Sequence, residues 1–154
     1  MSSQPEAPYQ NSAENGENGG ESRAAGRRDS LILVVDDRQD NREAITEAMQ
    51  RQGYAVLTAS NGVEALEKIS AHSPDLVITD LKMPDLDGLE LLKTARAIPT
   101  PPEVILLTPC DTVETAVDAL KHGAFNYLTK PVNLKDLRAQ AEKALEHRQM
   151  HREV

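Results

Sequence analysis

Sulfur and aromatic groups are almost missing from this chain: its 154 residues include one Cys, no Trp, one Phe and three Tyr. A single cysteine, Cys110, excludes an internal disulfide framework and suits a reducing compartment. Nothing near Cys110 lowers its pKa, so it reads as a partly buried small residue rather than a redox sensor. So few aromatics leave little to stack a flavin. No apolar run approaches the roughly 18 residues of a membrane span, and the amino terminus lacks a signal-peptide core. The expectation is a cytoplasmic protein with no membrane contact. Positive charge is also short, with 17 Lys and Arg against 25 Asp and Glu, for a net charge of −8. A nucleic-acid surface needs clustered Lys and Arg to displace counterions, so no direct nucleic-acid binding is expected.

Residues 1–29 are dominated by Ser, Gln, Glu, Asn, Gly and Pro, with Tyr9 the only large apolar group. They cannot bury enough surface to offset chain entropy, and they read as a disordered tail. From Leu31 onward the pattern alternates strand and helix. Strands are predicted at 31–35, 55–59, 76–79, 104–107 and 125–128. Helices are predicted at 40–52, 63–71, 88–97, 113–122 and from 133 to about 150.

Local punctuation supports these elements. Asn61 with Glu64, Asp87 with Glu90 and Asn133 with Asp136 each place a capping side chain three residues before an acid. Gly53 and Gly123 sit where helices should end. The last helix is amphipathic through Leu134, Leu137, Ala141, Ala144 and Leu145, a face suited to docking on a sheet. Repeated strand–helix units with right-handed crossovers predict an α/β fold: a flavodoxin-like, doubly wound, five-stranded parallel sheet of order 2-1-3-4-5, with helices on both faces.

In that order, three apolar runs that stop at charge bring their ends to one sheet edge. Asp36 and Asp37 follow the first strand, Asp80 the third, and Lys130 the fifth. Three carboxylates within a few ångströms repel, so their pKa values rise or a cation neutralises them. An oxygen-only set with few protein ligands suits Mg²⁺, which keeps waters and is often completed by a phosphate. A carboxylate can also accept a phosphoryl group as a nucleophile. Thr108, at the end of the fourth strand, adds a hydroxyl.

These residues resemble the receiver domain of two-component response regulators. The resemblance is carried by the Asp36-Asp37 pair, Thr79-Asp80-Leu81-Lys82-Met83-Pro84 with Asp87-Gly88, Leu107-Thr108, and Gly123-Ala124-Phe125-Asn126-Tyr127-Leu128-Thr129-Lys130-Pro131. It spans residues 30–150, with 151–154 as the start of a linker. Within the family, 113–117 and 123–125 look most like receivers of the nitrogen-regulation type, which activate the alternative sigma factor.

The resemblance implies that Asp80 is the phosphoacceptor for a sensor histidine kinase or phosphotransfer protein. Asp37 and Asp80 would hold Mg²⁺ with the Lys82 backbone carbonyl, and Asp36 would act mainly through a bound water. Lys130, joined to Pro131 by a cis peptide bond, would hold a phosphoryl oxygen. Thr108 and Tyr127 would form the switch pair, altering the protein-binding face of the fourth helix and fifth strand. A homodimer through the fourth helix, fifth strand and fifth helix is a further implication. The sequence departs from the family at Pro109, where related receivers usually carry Ala or Gly.

Each residue also has a plainer role open to it. An Asp at a strand end commonly caps a helix, Thr108 suits any strand, Tyr127 any sheet edge, and Lys130 a solvated turn. Their joint placement is what points to chemistry. His72, His122, His147 and His151 show no ligand spacing with the acids and read as surface residues. A haloacid-dehalogenase-like phosphohydrolase would also use an aspartyl phosphate, but it needs a second Asp two positions on, where this chain has Lys82. A flavin carrier of similar topology would need a phosphate-cradling loop and stacking aromatics. The ending leaves two alternatives, a stand-alone receiver or a piece of a longer regulator.

Overall fold

The structure, a computed structural model, describes residues 29–109 and 113–153. Nearly all of the expected tail, Cys110 and the side chain of His151 lie outside the described residues. Among the described residues, five strands alternate with five helices: β1 (Leu31–Val35), α1 (Gln39–Arg51), β2 (Ala55–Ala59), α2 (Gly62–His72), β3 (Leu76–Asp80), α3 (Gly88–Arg96), β4 (Glu103–Pro109), α4 (Val113–Lys121), β5 (Asn126–Lys130) and α5 (Leu134–Glu153). All pairings are parallel and the order is β2-β1-β3-β4-β5, as the alternation predicts. Among the described residues no helix is long and apolar enough to cross a membrane.

The three inner strands are apolar almost throughout because helices cover both faces. Alternate residues of each strand serve opposite faces. Leu33, Val35, Val77, Val104 and Leu106 pack with α2, α3 and α4 through Ile69, Leu91, Leu92 and Ala119. Ile32, Val34, Ile78, Ile105 and Leu107 pack with α1 and α5 through Ile45, Met49, Leu137, Ala141 and Ala144. Burying each large aliphatic side chain contributes about 1.5–3 kcal/mol, so this double core holds the five strands in the register that brings their carboxyl ends to one edge.

The expected caps form. Asn61 Oδ1 accepts the Glu64 N–H at 2.8 Å, Asp87 Oδ1 that of Glu90 at 2.9 Å, and Asn133 Oδ1 that of Asp136 at 3.1 Å. Gly53 and Gly123 take φ of 97° and 104°, the left-handed geometry that a side chain disfavours.

The later strands run further than their apolar stretches. β3 includes Asp80, β4 spans Glu103 to Pro109, and β5 reaches Lys130. Backbone bonding continues after hydrophobicity stops, as in the Leu81 N–H bond to Leu107 O at 2.8 Å. Asp80, Thr108 and Lys130 are therefore strand residues fixed by the ladder, whereas Asp36 and Asp37 follow the end of β1.

Candidate functional site

β1 and β3 are neighbours, with Val35 beside Thr79 in register, so Asp36 emerges next to Asp80. Oxygens of Asp36, Asp37 and Asp80 all lie within 4.8 Å of one another. Lys130 reaches across from β5, its Nζ 2.9 Å from Asp80 Oδ2 and 3.8 Å from Asp36 Oδ2. The Lys130–Pro131 bond is cis. Gly88 belongs to the same construction: a Cβ there would stand 2.5 Å from Asp80 O, so only glycine lets α3 start this close to the end of β3.

The acids are not consumed by capping. The N-cap of α1 is Arg38, which makes no side-chain cap bond. Asp36 Oδ1 accepts the Arg38 N–H at 2.9 Å, while its buried Oδ2 has no hydrogen-bond partner. Burial pushes the Asp36 carboxyl above the usual carboxylate range, opposed by the Arg38 N–H and Lys130, and the charges of Asp80 and Asp37 push it further up. An unpartnered buried carboxylate oxygen costs on the order of 1–3 kcal/mol, a burden that a bound cation would relieve. The donors are oxygens without sulfur or ring nitrogen, which fits a hard divalent ion.

Thr108 and Tyr127 lie on the other face. Thr108 is fully buried and shares the parity of Leu106, which is the register partner of Tyr127. Tyr127 is half-buried against the core beneath α2, α3 and α4. The structure thus brings Asp36, Asp37, Asp80 and Lys130 together and sets Thr108 and Tyr127 on the opposite face, Tyr127 beside Leu106 and Thr108 two residues further along β4. Lys82 is exposed beside the cluster, its N–H 3.3 Å from Asp80 Oδ1.

Two features escape the sequence pattern. Arg42 of α1 donates to Asp36 O at 2.8 Å and steadies the acidic turn. His147 is exposed, as expected, yet it is not free of partners: its Nδ1 lies 2.7 Å from Glu103 Oε2 and its ring is tilted against Phe125. That contact joins residues 44 apart in sequence, a separation that no local spacing rule encodes.

The profile of the response regulator receiver domain matches residues 32–142. The chain is 40% identical over 123 residues to the regulatory protein AtoC of Escherichia coli, covering 80% of this chain and 27% of that protein. It is 35% identical over 119 residues to the DNA-binding transcriptional regulator NtrC of the same species, covering 77% of this chain and 25% of that protein. The chain therefore spans about a quarter of the length of these curated relatives. A crystal structure of a receiver domain protein from Clostridium thermocellum superposes with a TM-score of 0.73 at 36% identity, covering 79% of this chain and 98% of that one. Family match, fold and kinship agree, and the chain belongs to the response regulator receiver domains, phosphorylatable switches, here of the nitrogen-regulation type.

Proposed function

We propose that Asp80 is the residue phosphorylated, with a phosphohistidine of a sensor kinase or phosphotransfer protein as donor. The observation that carries this is the Lys130 ammonium 2.9 Å from Asp80 Oδ2, in a cluster where three carboxylates face one cation. An Asp80 carboxylate oxygen attacks phosphorus, the phosphorus–nitrogen bond breaks, and the imidazole leaves with the bond's electron pair. Lys130 neutralises charge on the transferring oxygens. Asp37, Asp80 and the Lys82 carbonyl would hold Mg²⁺, with Asp36 acting through water; when bound, the ion offsets the charge gathered between carboxylate and phosphoryl group. The domain is then a self-catalysing acceptor rather than an enzyme acting on other molecules.

The switch follows from charge and packing. A phosphoryl group adds negative charge and strong acceptors at the tips of β3 and β4. Thr108 turns toward it, and Tyr127, on the same sheet face, takes up the space released. A swing from 1:99 to 99:1 needs about 5.5 kcal/mol of preference, within reach of two or three charge-assisted contacts. The altered surface is that of α4, β5 and α5, where Val117 and Leu120 stand 44% and 39% exposed and suit a homodimer. The reading takes 30–150 as the receiver, 1–29 as a tail and 151–154 as the start of a linker, in a cytoplasmic setting.

Acetyl phosphate with Mg²⁺, read by intact mass, tests the assignment. One added phosphoryl group is expected, lost in Asp80→Asn. Undiminished labelling of that variant would contradict it.

A further inference from the structure

Residues 81–87 join β3 to α3 without regular structure, and Lys82 lies within them. One end of this loop is closed by Gly88, whose N–H donates to Leu81 O at 2.8 Å. The other contact comes from a different element. At Gly62, the buried first residue of α2, a Cβ would collide with Leu86 O and stand 2.7 Å from Leu86 Cβ. Backbone freedom does not demand glycine there, since the positive-φ glycines among the described residues are Gly53 and Gly123. Closeness to the loop does. The start of α2 is firmly held: Asn61 Oδ1 accepts the Glu64 N–H at 2.8 Å, Glu64 Oε1 accepts the Ser60 N–H at 2.8 Å, and Ala65 and Ile69 pack in the core. The loop is the softer partner, anchored by buried Leu81 and Met83 but exposed at Lys82, Pro84 and Asp85. A side chain at 62 would therefore displace the loop rather than the helix.

We infer that Gly62 is a positioning residue for the metal site: it lets the first turn of α2 seat against Leu86, which holds the 81–87 loop, and with it the Lys82 carbonyl, in place beside Asp80. The inference rests on the reading of that carbonyl as a ligand. Groups that only orient a ligand are worth about 10–100-fold in metal affinity, so Gly62→Ala should raise the Mg²⁺ dissociation constant about tenfold. Helix propensity acts in the other direction. Alanine is the better helix former, and a purely local effect would stabilise α2.

Mg²⁺ titrated by NMR into the unmodified protein, Gly62→Ala, Leu86→Ala, Gly123→Ala and Asp37→Ala tests this, with each unfolding midpoint measured in a chelator. Weaker Mg²⁺ binding is expected in Gly62→Ala, and a smaller loss of the same sign in Leu86→Ala, which trims the loop side of the contact without adding a clash. Gly123→Ala controls for general damage. It strains the turn after α4, where φ is 104°, and should lower the midpoint while leaving Mg²⁺ affinity unchanged. An unchanged dissociation constant in Gly62→Ala overturns the inference, as does an equal loss in Gly123→Ala. If Gly62→Ala fails to fold, Leu86→Ala decides alone: weaker binding supports the inference and unchanged binding overturns it. Undiminished binding in Asp37→Ala overturns the reading of the metal site itself, whatever the other variants do.

Discussion

At the amino end of the sheet, Asp75 and Glu103 face Arg148, Arg96 and His147, while at the carboxyl end Asp36, Asp37 and Asp80 face Lys130. Both ends hold ionisable groups that are buried or half-buried, with Asp37 and His147 exposed at their margins. At the amino end the acids are matched: Asp75 Oδ1 lies 3.3 Å from Arg148 and its Oδ2 accepts the Leu31 N–H at 2.8 Å, while Glu103 has His147 at 2.7 Å and Arg96 at 3.8 Å. At the carboxyl end the acids outnumber the base and Asp36 Oδ2 has no hydrogen bond. Matched charge ties α5 and β1 to the sheet. Unmatched charge is a standing penalty, one that a cation at that edge would relieve.

The largest effect is expected from breaking the matched end. Asp75→Ala removes the acceptor of both Arg148 and the Leu31 N–H, and should lower the unfolding free energy by roughly 2–4 kcal/mol in urea titration. Mg²⁺-dependent phosphorylation of the folded fraction should survive. A loss below about 0.5 kcal/mol would show that this pairing contributes nothing to stability.

The unmatched end should respond with the opposite sign. Asp36→Asn retains an acceptor for the Arg38 N–H and removes a buried charge, so without metal near neutral pH it should raise stability by about 1 kcal/mol. Thermal unfolding in a chelator checks this, and a destabilised variant would show that Asp36 is satisfied after all.

The smallest effect sharpens the contrast within the carboxyl end. Glu64 follows β2 there, yet its Oε1 accepts from the Ser60 N–H at 2.8 Å and from Ser60 Oγ at 3.0 Å. The Ser60 backbone bond holds the Glu64 carboxyl below its ordinary value against slight burial, helped by the Ser60 hydroxyl and Lys68. A depressed carboxyl stabilises the fold above its unfolded pKa, and that stability is lost as pH falls through the folded value. With a side chain 37% exposed, solvent reduces the effect to a few tenths of a kcal/mol. Glu64→Gln should show that deficit at neutral pH and none in strong acid. A deficit that is constant with pH would contradict the charged bond.

The carboxyl end was legible in the sequence because strand ends are local. An apolar run that stops at Asp36, Asp80 or Lys130 states both the strand and what it delivers, and a parallel sheet brings those ends together. The caps at Asn61, Asp87 and Asn133 were legible for the same reason, each lying three residues from its partner. The amino end was not. His147 with Glu103, and Arg148 with Asp75, depend on how α5 crosses the sheet, and helical periodicity alone shows His147 and Arg148 as the polar tail of an amphipathic helix. Strand limits at Asp80, Glu103, Pro109 and Lys130 were understated because ladder bonds outlast hydrophobic character.

The central claim is that the carboxyl edge carries unneutralised acid that a divalent cation relieves. It is tested most directly by the thermal unfolding midpoint with and without Mg²⁺ in the unmodified protein, Asp75→Ala and Asp37→Ala. At an Mg²⁺ concentration about 100 times the dissociation constant, binding to the folded state alone is worth about 2.7 kcal/mol. The unmodified protein and Asp75→Ala should gain equal increments from Mg²⁺, and Asp37→Ala almost none. An undiminished Mg²⁺ increment in Asp37→Ala would contradict the account.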